Sequence, residues 1–463
     1  MEGILHKVKN IYLVGIGGVG MSGLAFLLNE RGYCVKGSDQ CMNSRITALT
    51  EAGIEIHIGH KSDHIDSRID LLCCSSAVKD NNPEILEARK REIPVIKRGQ
   101  LLAELCHGKR TIAVSGSHGK TTISSLVSHI LISLGYAPAV FVGGLPVDCR
   151  RNAWWGSDYF VVETDESDGS FLFCSPWVSI ITNIDFEHLD YYRSIEHLRD
   201  SFKEFALRTK SKIIGCGDDP YVMHILEEFG GISYGVKPHN YIRADNIIYD
   251  KGYMCFELLI NNTKKGLFKL PMLGKHNCLN ALSALAFFNY LGYDVARVKA
   301  ALSKFKGTAR RFEVKANIGG VKFIDDYAHH PSEIRAVLEA AAYLKPKRIF
   351  AIFQPHRFSR VKILWGEFIN CFKLADELVI TDIYSAGEAE ISGINGKLLW
   401  EDTRNYFPKA IYIPGSELAQ YLPELIEEGD LVLALGAGDI NNIMAEVRHA
   451  FMQKSRGQNC SRA

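Results

Sequence analysis

Thr111–Thr122, TIAVSGSHGKTT, is the stretch on which the reading of the fold turns. Thr111–Val114 is a short apolar run of strand character, and a helix-like pattern runs from about Ile123 to Leu134. Between them stands Ser115-Gly116-Ser117-His118-Gly119-Lys120-Thr121-Thr122. The strict phosphate-loop spacing G-x-x-x-x-G-K-[ST] would require glycine where the chain has Val114, so only the shorter G-x-x-G-K-T remains. The physics survives the change. Loop N–H groups from Gly116 to Gly119 can cradle phosphate, Lys120 puts a point charge near its outer oxygens, and the Thr121 hydroxyl, followed by Thr122, can ligate Mg2+. ATP or GTP binding is the expectation; a bland strand-to-helix turn is the alternative.

Upstream, Ile11–Val14 is another apolar run, followed by Gly15-Ile16-Gly17-Gly18-Val19-Gly20-Met21 and a helix-like stretch to about Arg31. A second strand, Cys34–Gly37, ends at Ser38-Asp39. This is the G-x-G-x-x-G arrangement that lays a diphosphate on a helix N-terminus, with Asp39 placed to accept a hydrogen bond from a ribose hydroxyl or a base N–H. By itself it fits an NAD enzyme, another nucleotide diphosphate, or a packing turn with no ligand. The GKT loop weakens the dehydrogenase reading. A dehydrogenase needs no second nucleotide site, whereas an enzyme that cleaves ATP to activate a nucleotide-carrying substrate needs two.

Downstream, the strand-like Tyr159–Glu163 leads into Thr164-Asp165-Glu166-Ser167-Asp168-Gly169, and Trp177–Thr182 leads into Asn183, Asp185, Glu187, His188 and Asp190. Both acidic groups fall at expected C-terminal strand ends, where open parallel sheets bind ligands. Mg2+ on phosphates takes one or two protein ligands beside the phosphate-loop hydroxyl, and either acidic group could supply them; His188 taken alone reads as readily as a packed or surface histidine. A solvated acidic loop is the plain alternative. A third apolar run ending in glycine, Leu431–Gly436, also opens a helix.

Strand and helix signals alternate nearly throughout, the pattern of α/β domains with parallel sheets. At about 150 residues per domain, 463 residues suggest three. Boundaries are expected near Cys106–Arg110 and Gly307–Gly320, giving domains 1–107, 108–315 and 316–463. A small β-rich patch is expected from Ile232 to Leu270 and a frayed tail over the last ten residues, KSRGQNCSRA. Hydrophobic residues are 47% and charged residues 23%, a globular balance, and the net charge of +1 argues against wrapping nucleic acid. The 12 cysteines contain no C-x-x-C pair, so reduced thiols in a cytoplasmic protein are expected. No signal-type segment opens the chain. The uncharged stretch Asn277–Tyr293 carries Asn280, Ser283 and Asn289, and reads as a packed helix, not a membrane span.

Taken in order, these motifs resemble the Mur ligase family, ATP-dependent amino-acid ligases of peptidoglycan precursor synthesis. GSHGKTT resembles the family's GTHGKTT, with Ser117 as a departure, and ETDESDGSF (Glu163–Phe171) resembles its EADESDxSF. Asp185 and Glu187 are exchanged in type relative to its TNxExDHxD. Gly274-Lys275-His276-Asn277 with Asn280 resembles an adenine-side GxHNxxN. Arg310-Arg311-Phe312, Asp325–Pro331 (DDYAHHP), Phe353–Arg360 (FQPHRFSR) and Tyr384–Glu388 (YSAGE) resemble the remaining blocks.

The resemblance implies a UDP-sugar Rossmann-like domain, a central P-loop domain and a smaller C-terminal Rossmann-like domain. It implies ATP and Mg2+, and UDP-N-acetylmuramate and L-alanine as substrates. His276, Asn277, Asn280, Arg311 and Asp325 would join the phosphate loop in holding ATP. Gly15, Gly17, Gly18, Gly20, Met21, Ser38, Asp39 and Ser75 would hold the UDP-sugar, with Tyr327, His356, Arg357 and Arg360 on the substrates. Sister ligases use a carbamylated lysine to bridge metals, and Lys203 is the candidate by spacing.

The chemistry agrees. A carboxylate becomes reactive to an amine once phosphorylated, and bringing it to a γ-phosphate demands charge neutralisation, for which Lys120, Mg2+ on Thr121, Glu163 and a second Mg2+ held by His188 are the candidates. Arg357 and Arg360, three apart, can share one helical or turn face and fork onto an amino-acid carboxylate. His329, or Asp326 nearby, is the candidate base or orienter for the amine. Another ligase of the family, an NAD-dependent oxidoreductase and a non-catalytic nucleotide-binding regulator are the competing readings. Oligomeric state is open.

Overall fold

The computed structural model describes residues 3–147, 151–185 and 191–460, the side chains of 456–460 excepted. Three sheets organise it, of five, ten and six strands. The first has the order β3-β2-β1-β4-β5, where β1 is Asn10–Val14, β2 Cys34–Asp39, β3 Glu55–Ile58, β4 Leu71–Cys74 and β5 Val95–Lys97. All its pairings are parallel. Both faces are covered, so the central strand β1 is apolar almost throughout, as buried parallel strands require. The strand order reverses between β1 and β4, and the Gly15 loop leaves the sheet there, at the crevice where open α/β sheets take ligands.

The second sheet contains β6 (Arg110–Ser115), β7 (Ala139–Phe141), β8 (Ala153–Trp154), β9 (Tyr159–Glu163), β10 (Val178–Ile181), β11 (Lys212–Cys216), β12 (Ile232–Gly235), β13 (Ile242–Asp250), β14 (Tyr253–Ile260) and β15 (Thr263–Leu270). Its order is β15-β14-β13-β12-β11-β10-β6-β9-β7-β8. Strand β6 lies between β9 and β10, parallel to both. The phosphate-type loop and both acidic loops therefore leave the same edge of the sheet. The β-rich segment from Ile232 supplies β12–β15.

The third sheet comprises β16 (Glu313–Ile318), β17 (Val321–Asp326), β18 (Arg348–Phe353), β19 (Glu377–Ile380), β20 (Ile411–Tyr412) and β21 (Asp430–Leu435), in the order β16-β17-β21-β18-β19-β20. Gly319 and Gly320, at φ 56 and 77, form the tight turn joining antiparallel β16 and β17. Position 315/316 thus falls inside β16. The last helix, Ile440–Cys460, continues through most of the segment expected to fray. Lys454 ties it down by donating to the Pro423 carbonyl at 2.8 Å and pairing with Glu424 at 2.9 Å.

By compactness the chain divides into two units. One is 1–247 with 255–270 and 278–308; the other is 248–254 with 271–277 and 309–463. The first unit joins the first two sheets. One apolar core runs from Leu24 and Phe26 on the helix Val19–Glu30 to Phe141, Ala153 and Phe160 beside it. Polar ties reinforce the junction: Asn152 donates to the Val19 carbonyl at 3.0 Å, and Arg151 pairs with Glu30 at 3.0 Å. The second unit has a separate core on each face of its sheet. Among the described residues, no helix is long and apolar enough to cross a membrane.

Candidate active site

The phosphate-type loop is held open by its neighbours. Gly116 and Gly119 adopt φ 126 and 87, which only glycine takes without strain. The Ser117 N–H donates to the Asn183 carbonyl at 3.0 Å, and the His118 N–H to the Asn183 side-chain oxygen at 2.9 Å. The Asp185 N–H donates to Ser117 Oγ at 2.9 Å, and the Asp185 carboxylate sits 2.8 Å from His118 Nε2. The loop is thus laced to the β10 terminus, which is why Asn183 and Asp185 belong to the site. Asn280 stands over Gly119, whose missing side chain would reach 2.6 Å from the Asn280 oxygen.

Lys120 opens the helix Lys120–Ser133 and folds back, donating to Glu166 Oε1 at 2.8 Å and to the Gly116 and Ser117 carbonyls at 2.5 and 3.1 Å. Burial opposes its charge, but Glu166, Asp165 and Glu163 outweigh that and push the ammonium up to about 12. It is therefore a fixed cation, held where phosphate oxygens would arrive. Thr121 and Glu163 meet at Gly143-Gly144. Glu163 Oε2 accepts the Gly143 N–H at 2.7 Å, and a side-chain carbon built on Gly144 would stand 2.9 Å from the Thr121 methyl. Thr122 is buried beneath the loop.

The acidic run does not act as one cluster. Glu163 faces Gly143, Glu166 takes Lys120, and Asp165 and Asp168 face Arg98 at 3.0 and 3.8 Å. Successive loop residues point apart, so neighbours in sequence do not converge. Among the described residues, no group of three His, Cys, Asp or Glu side chains is placed to hold a metal. His188, with Glu187 and Asp190, lies outside the described residues. Lys203, the carbamylation candidate, pairs with Glu228 at 2.9 Å.

The glycine loop Gly15–Gly20 is closed from below. Ser38 donates no side-chain group to it; its hydroxyl is fully buried on Glu84 Oε2 at 2.6 Å, and its carbonyl accepts the Gly15 and Ile16 N–H groups. Asp39 Oδ2, expected to face a ligand, accepts the Gly17 N–H at 2.8 Å and so braces the loop. Gly18 donates back to the Gly15 carbonyl, and Ser75 packs against Gly15. Met21 is core, leaving only its backbone toward the loop. Glu84 also takes Tyr12 at 2.9 Å and His60 and His64 at 2.8 Å each. This wholly buried carboxylate, invisible to motif reading, anchors the end of β2.

In the second unit, β17 ends in Asp325-Asp326-Tyr327. Asp326 accepts the Phe312 and Ala328 N–H groups at 2.7 and 2.8 Å, so both oxygens hold the turn. Burial raises its pKa to about 6 against the pull of Arg311. His329 Nδ1 lies 2.9 Å from the Tyr327 carbonyl and must carry the proton there, which leaves Nε2 as the basic nitrogen. Burial keeps this ring neutral, well below its ordinary pKa, although Glu333 pulls the other way. His276 is likewise held neutral by burial and by Arg311, at about 4. Arg311 lies over the Tyr327 ring, and Asp325 lies 3.3 Å from Arg310. Asn277 donates to the Leu273 carbonyl at 2.7 Å.

The two arginines of FQPHRFSR are not on one helical face. Arg357 precedes the helix Phe358–Ile363 with φ 67 and ψ 129, a strained backbone for a non-glycine residue, and its N–H donates to the Tyr384 carbonyl at 2.8 Å. Arg360 donates to His356 Nδ1 at 3.0 Å, and the His356 ring stacks on Tyr384 at 5.6 Å. Burial and the nearby arginines keep His356 neutral at about 3. Strain of this kind persists where the surroundings over-determine it, and here it turns Arg357 away from the helix toward Glu388, 4.0 Å off.

Residues 10–110 match the model for the Mur ligase family catalytic domain, 114–288 that for the Mur ligase middle domain, and 310–438 that for the Mur ligase glutamate ligase domain. With a glycine loop, a lysine-bearing phosphate loop and a histidine–arginine cluster in that order, the chain belongs to the Mur ligase family. It is 38% identical over 445 residues to the UDP-N-acetylmuramate–L-alanine ligase of Carboxydothermus hydrogenoformans, covering 95% of this chain and 96% of that one. To the enzyme so named from Caldanaerobacter subterraneus subsp. tengcongensis it is 41% identical, covering 98% of this chain and all (100%) of that one. Among solved structures, the UDP-N-acetylmuramate–alanine ligase of Thermotoga maritima matches with a TM-score of 0.83 at 32% identity, covering 97% of this chain and 99% of that one.

Proposed function

We propose that the chain joins L-alanine to the lactyl carboxylate of UDP-N-acetylmuramate, with ATP cleaved to ADP and phosphate. The observation that carries this reading is the pair of distinct glycine loops in one unit, only one of which bears a lysine. Full-length relatives near 40% identity that are named for this reaction support it.

The glycine loop takes the uridine diphosphate on the start of the helix Val19–Glu30. The phosphate loop takes ATP, its N–H groups and Lys120 neutralising charge as the lactyl carboxylate oxygen attacks the γ-phosphorus and ADP leaves. Thr121 and Glu163, both at Gly143-Gly144, are oxygen donors suited to Mg2+, with His188 a third candidate outside the described residues. When bound, the ion would neutralise phosphate charge and template the two anions. Glu166 holds Lys120 until phosphate oxygens replace it. In the second unit, Arg357 and Arg360 are the cations for the amino-acid carboxylate, and His329 Nε2 is the base that takes a proton from the ammonium. The freed amine attacks the acyl carbon, and phosphate departs with the C–O bond it shared. His276, Asn277, Asn280, Arg311 and Asp325 are assigned to the nucleotide and Tyr327 and His356 to the substrates; a cytoplasmic setting follows from these soluble substrates.

The test is ADP release with each substrate withheld in turn, with mass spectrometry of the product. Turnover requires all three substrates and yields the alanyl amide. Equal turnover with other amino acids but not alanine would favour a different ligase of the family.

A further inference from the structure

We propose that Arg98 grips the diphosphate of the UDP-sugar, and that Asp165 and Asp168, though they belong to the acidic loop beside the phosphate loop, serve to aim it. The proposal rests on the reading of Gly15–Gly20 as the UDP-sugar loop.

That loop, GIGGVGM, carries no cation of its own. A helix N-terminus offers only about half a unit of positive charge, against roughly two negative charges on a diphosphate. A side chain from elsewhere has to make up the difference. Arg98 is placed to do so. It opens the helix Arg98–Cys106, and a side-chain carbon built on Gly20 would lie 3.0 Å from its Cδ and 3.2 Å from its Nη1. The guanidinium therefore lies directly over the first turn of the glycine-loop helix, where a diphosphate would rest. Gly20 has no positive φ to explain it; the close approach of Arg98 does.

The other edge of the guanidinium is fixed. Nη2 donates to Asp165 at 3.0 Å and lies 3.8 Å from Asp168, and the side chain is 14% exposed. The next residue, Gly99, abuts Ser170 so closely that a side-chain carbon would stand 2.4 Å from Ser170 Cβ. The helix start is thus pressed onto the turn that carries Asp165 and Asp168. Burial works against the Asp165 charge, but Arg98 and Lys120 together hold the carboxyl below its usual range. A planar guanidinium suits this arrangement, since one edge can stay on carboxylates while the other meets phosphate. Acids that look like metal ligands in sequence then act toward the other nucleotide.

The experiment titrates UDP-N-acetylmuramate, and separately ADP, into wild type, R98A, R98K, D165N and the R98A/D165N double variant. R98A should weaken UDP-N-acetylmuramate about 10- to 100-fold, the range for losing a charged hydrogen bond, with R98K between it and wild type. ADP affinity should move less than about threefold, since Arg98 touches no part of the phosphate loop. D165N alone should cost about threefold in UDP-N-acetylmuramate affinity, and nothing further in the R98A background, because toward that nucleotide it acts through Arg98. UDP-N-acetylmuramate affinity unchanged in folded R98A and R98K would overturn the proposal, as would additive losses in the double variant or parallel losses for both nucleotides. Failure of wild type to bind UDP-N-acetylmuramate would overturn the reading of the loop itself.

Discussion

Gly15–Gly20 and Gly116–Gly119 each join the C-terminal end of a buried parallel strand to a helix, yet charge reaches them by different routes. The second loop carries its cation in the chain, as Lys120, paired with the buried Glu166. The first carries none, is braced by Asp39 on the Gly17 N–H, and borrows Arg98 from a helix some 80 residues later in sequence. A lysine directly after the loop, a compact point charge, suits a phosphate that reacts. An arginine clamped by two acids suits a diphosphate that is only carried. The strand–glycine–helix device supplies geometry, and the attached charges decide what is done with the anion.

The largest effect should come from breaking the second loop alone. Lys120→Ala is expected to lower turnover by about 10³-fold or more, while equilibrium dialysis shows UDP-N-acetylmuramate binding within about threefold of wild type. Loss of both would mean the loops are not separate sites. A residue outside both loops should disturb neither. Arg360→Ala is expected to raise the KM for L-alanine about 10- to 100-fold, with both nucleotide affinities retained, as read by steady-state kinetics and calorimetry.

The first loop has a support without counterpart in the second. Glu84→Gln leaves buried donors on Tyr12, Ser38, His60 and His64 competing for a weaker acceptor, and should cost about 1–3 kcal/mol in urea unfolding. UDP-sugar affinity should fall with it while ADP binding holds; an unchanged midpoint would remove Glu84 as the anchor.

The smallest effect concerns pH and the second unit. His276 and His356 sit near 4 and 3 in the folded chain, and His329 is also depressed. Unfolded, each would protonate near 6.5. The unfolded state thus binds more protons below that value, so their contribution is full above about pH 6.5 and is lost as pH falls toward 4. Asp326, raised to about 6, works the other way, its contribution fading as pH rises through 6. His276→Gln should flatten the fall in stability between pH 6.5 and 4 in stepped urea titrations. A steeper fall would place that ring's charge elsewhere.

Much of this was legible in the residues. The strand Tyr159–Glu163 has the bounds that its apolar run suggested, and the glycine and phosphate loops fall where turn chemistry put them. Local pattern dictates local geometry there. The site was less legible where partners are distant or where direction matters. Glu84 and Arg98 act across long sequence separations that no motif encodes. Asp165, Glu166 and Asp168 look like one cluster but divide between two partners, Asp165 and Asp168 on Arg98 and Glu166 on Lys120, and Ser38 faces inward although its neighbour in the same motif braces the loop. Arg357 cannot share a helical face with Arg360, because its positive φ sets it outside the helix.

Two nucleotides held at once, at separate loops, is the claim on which the mechanism stands. Calorimetric titration of ADP into protein already saturated with UDP-N-acetylmuramate tests it most directly. A full additional equivalent of ADP should bind without displacing the sugar nucleotide. Displacement of one by the other, mole for mole, would contradict it.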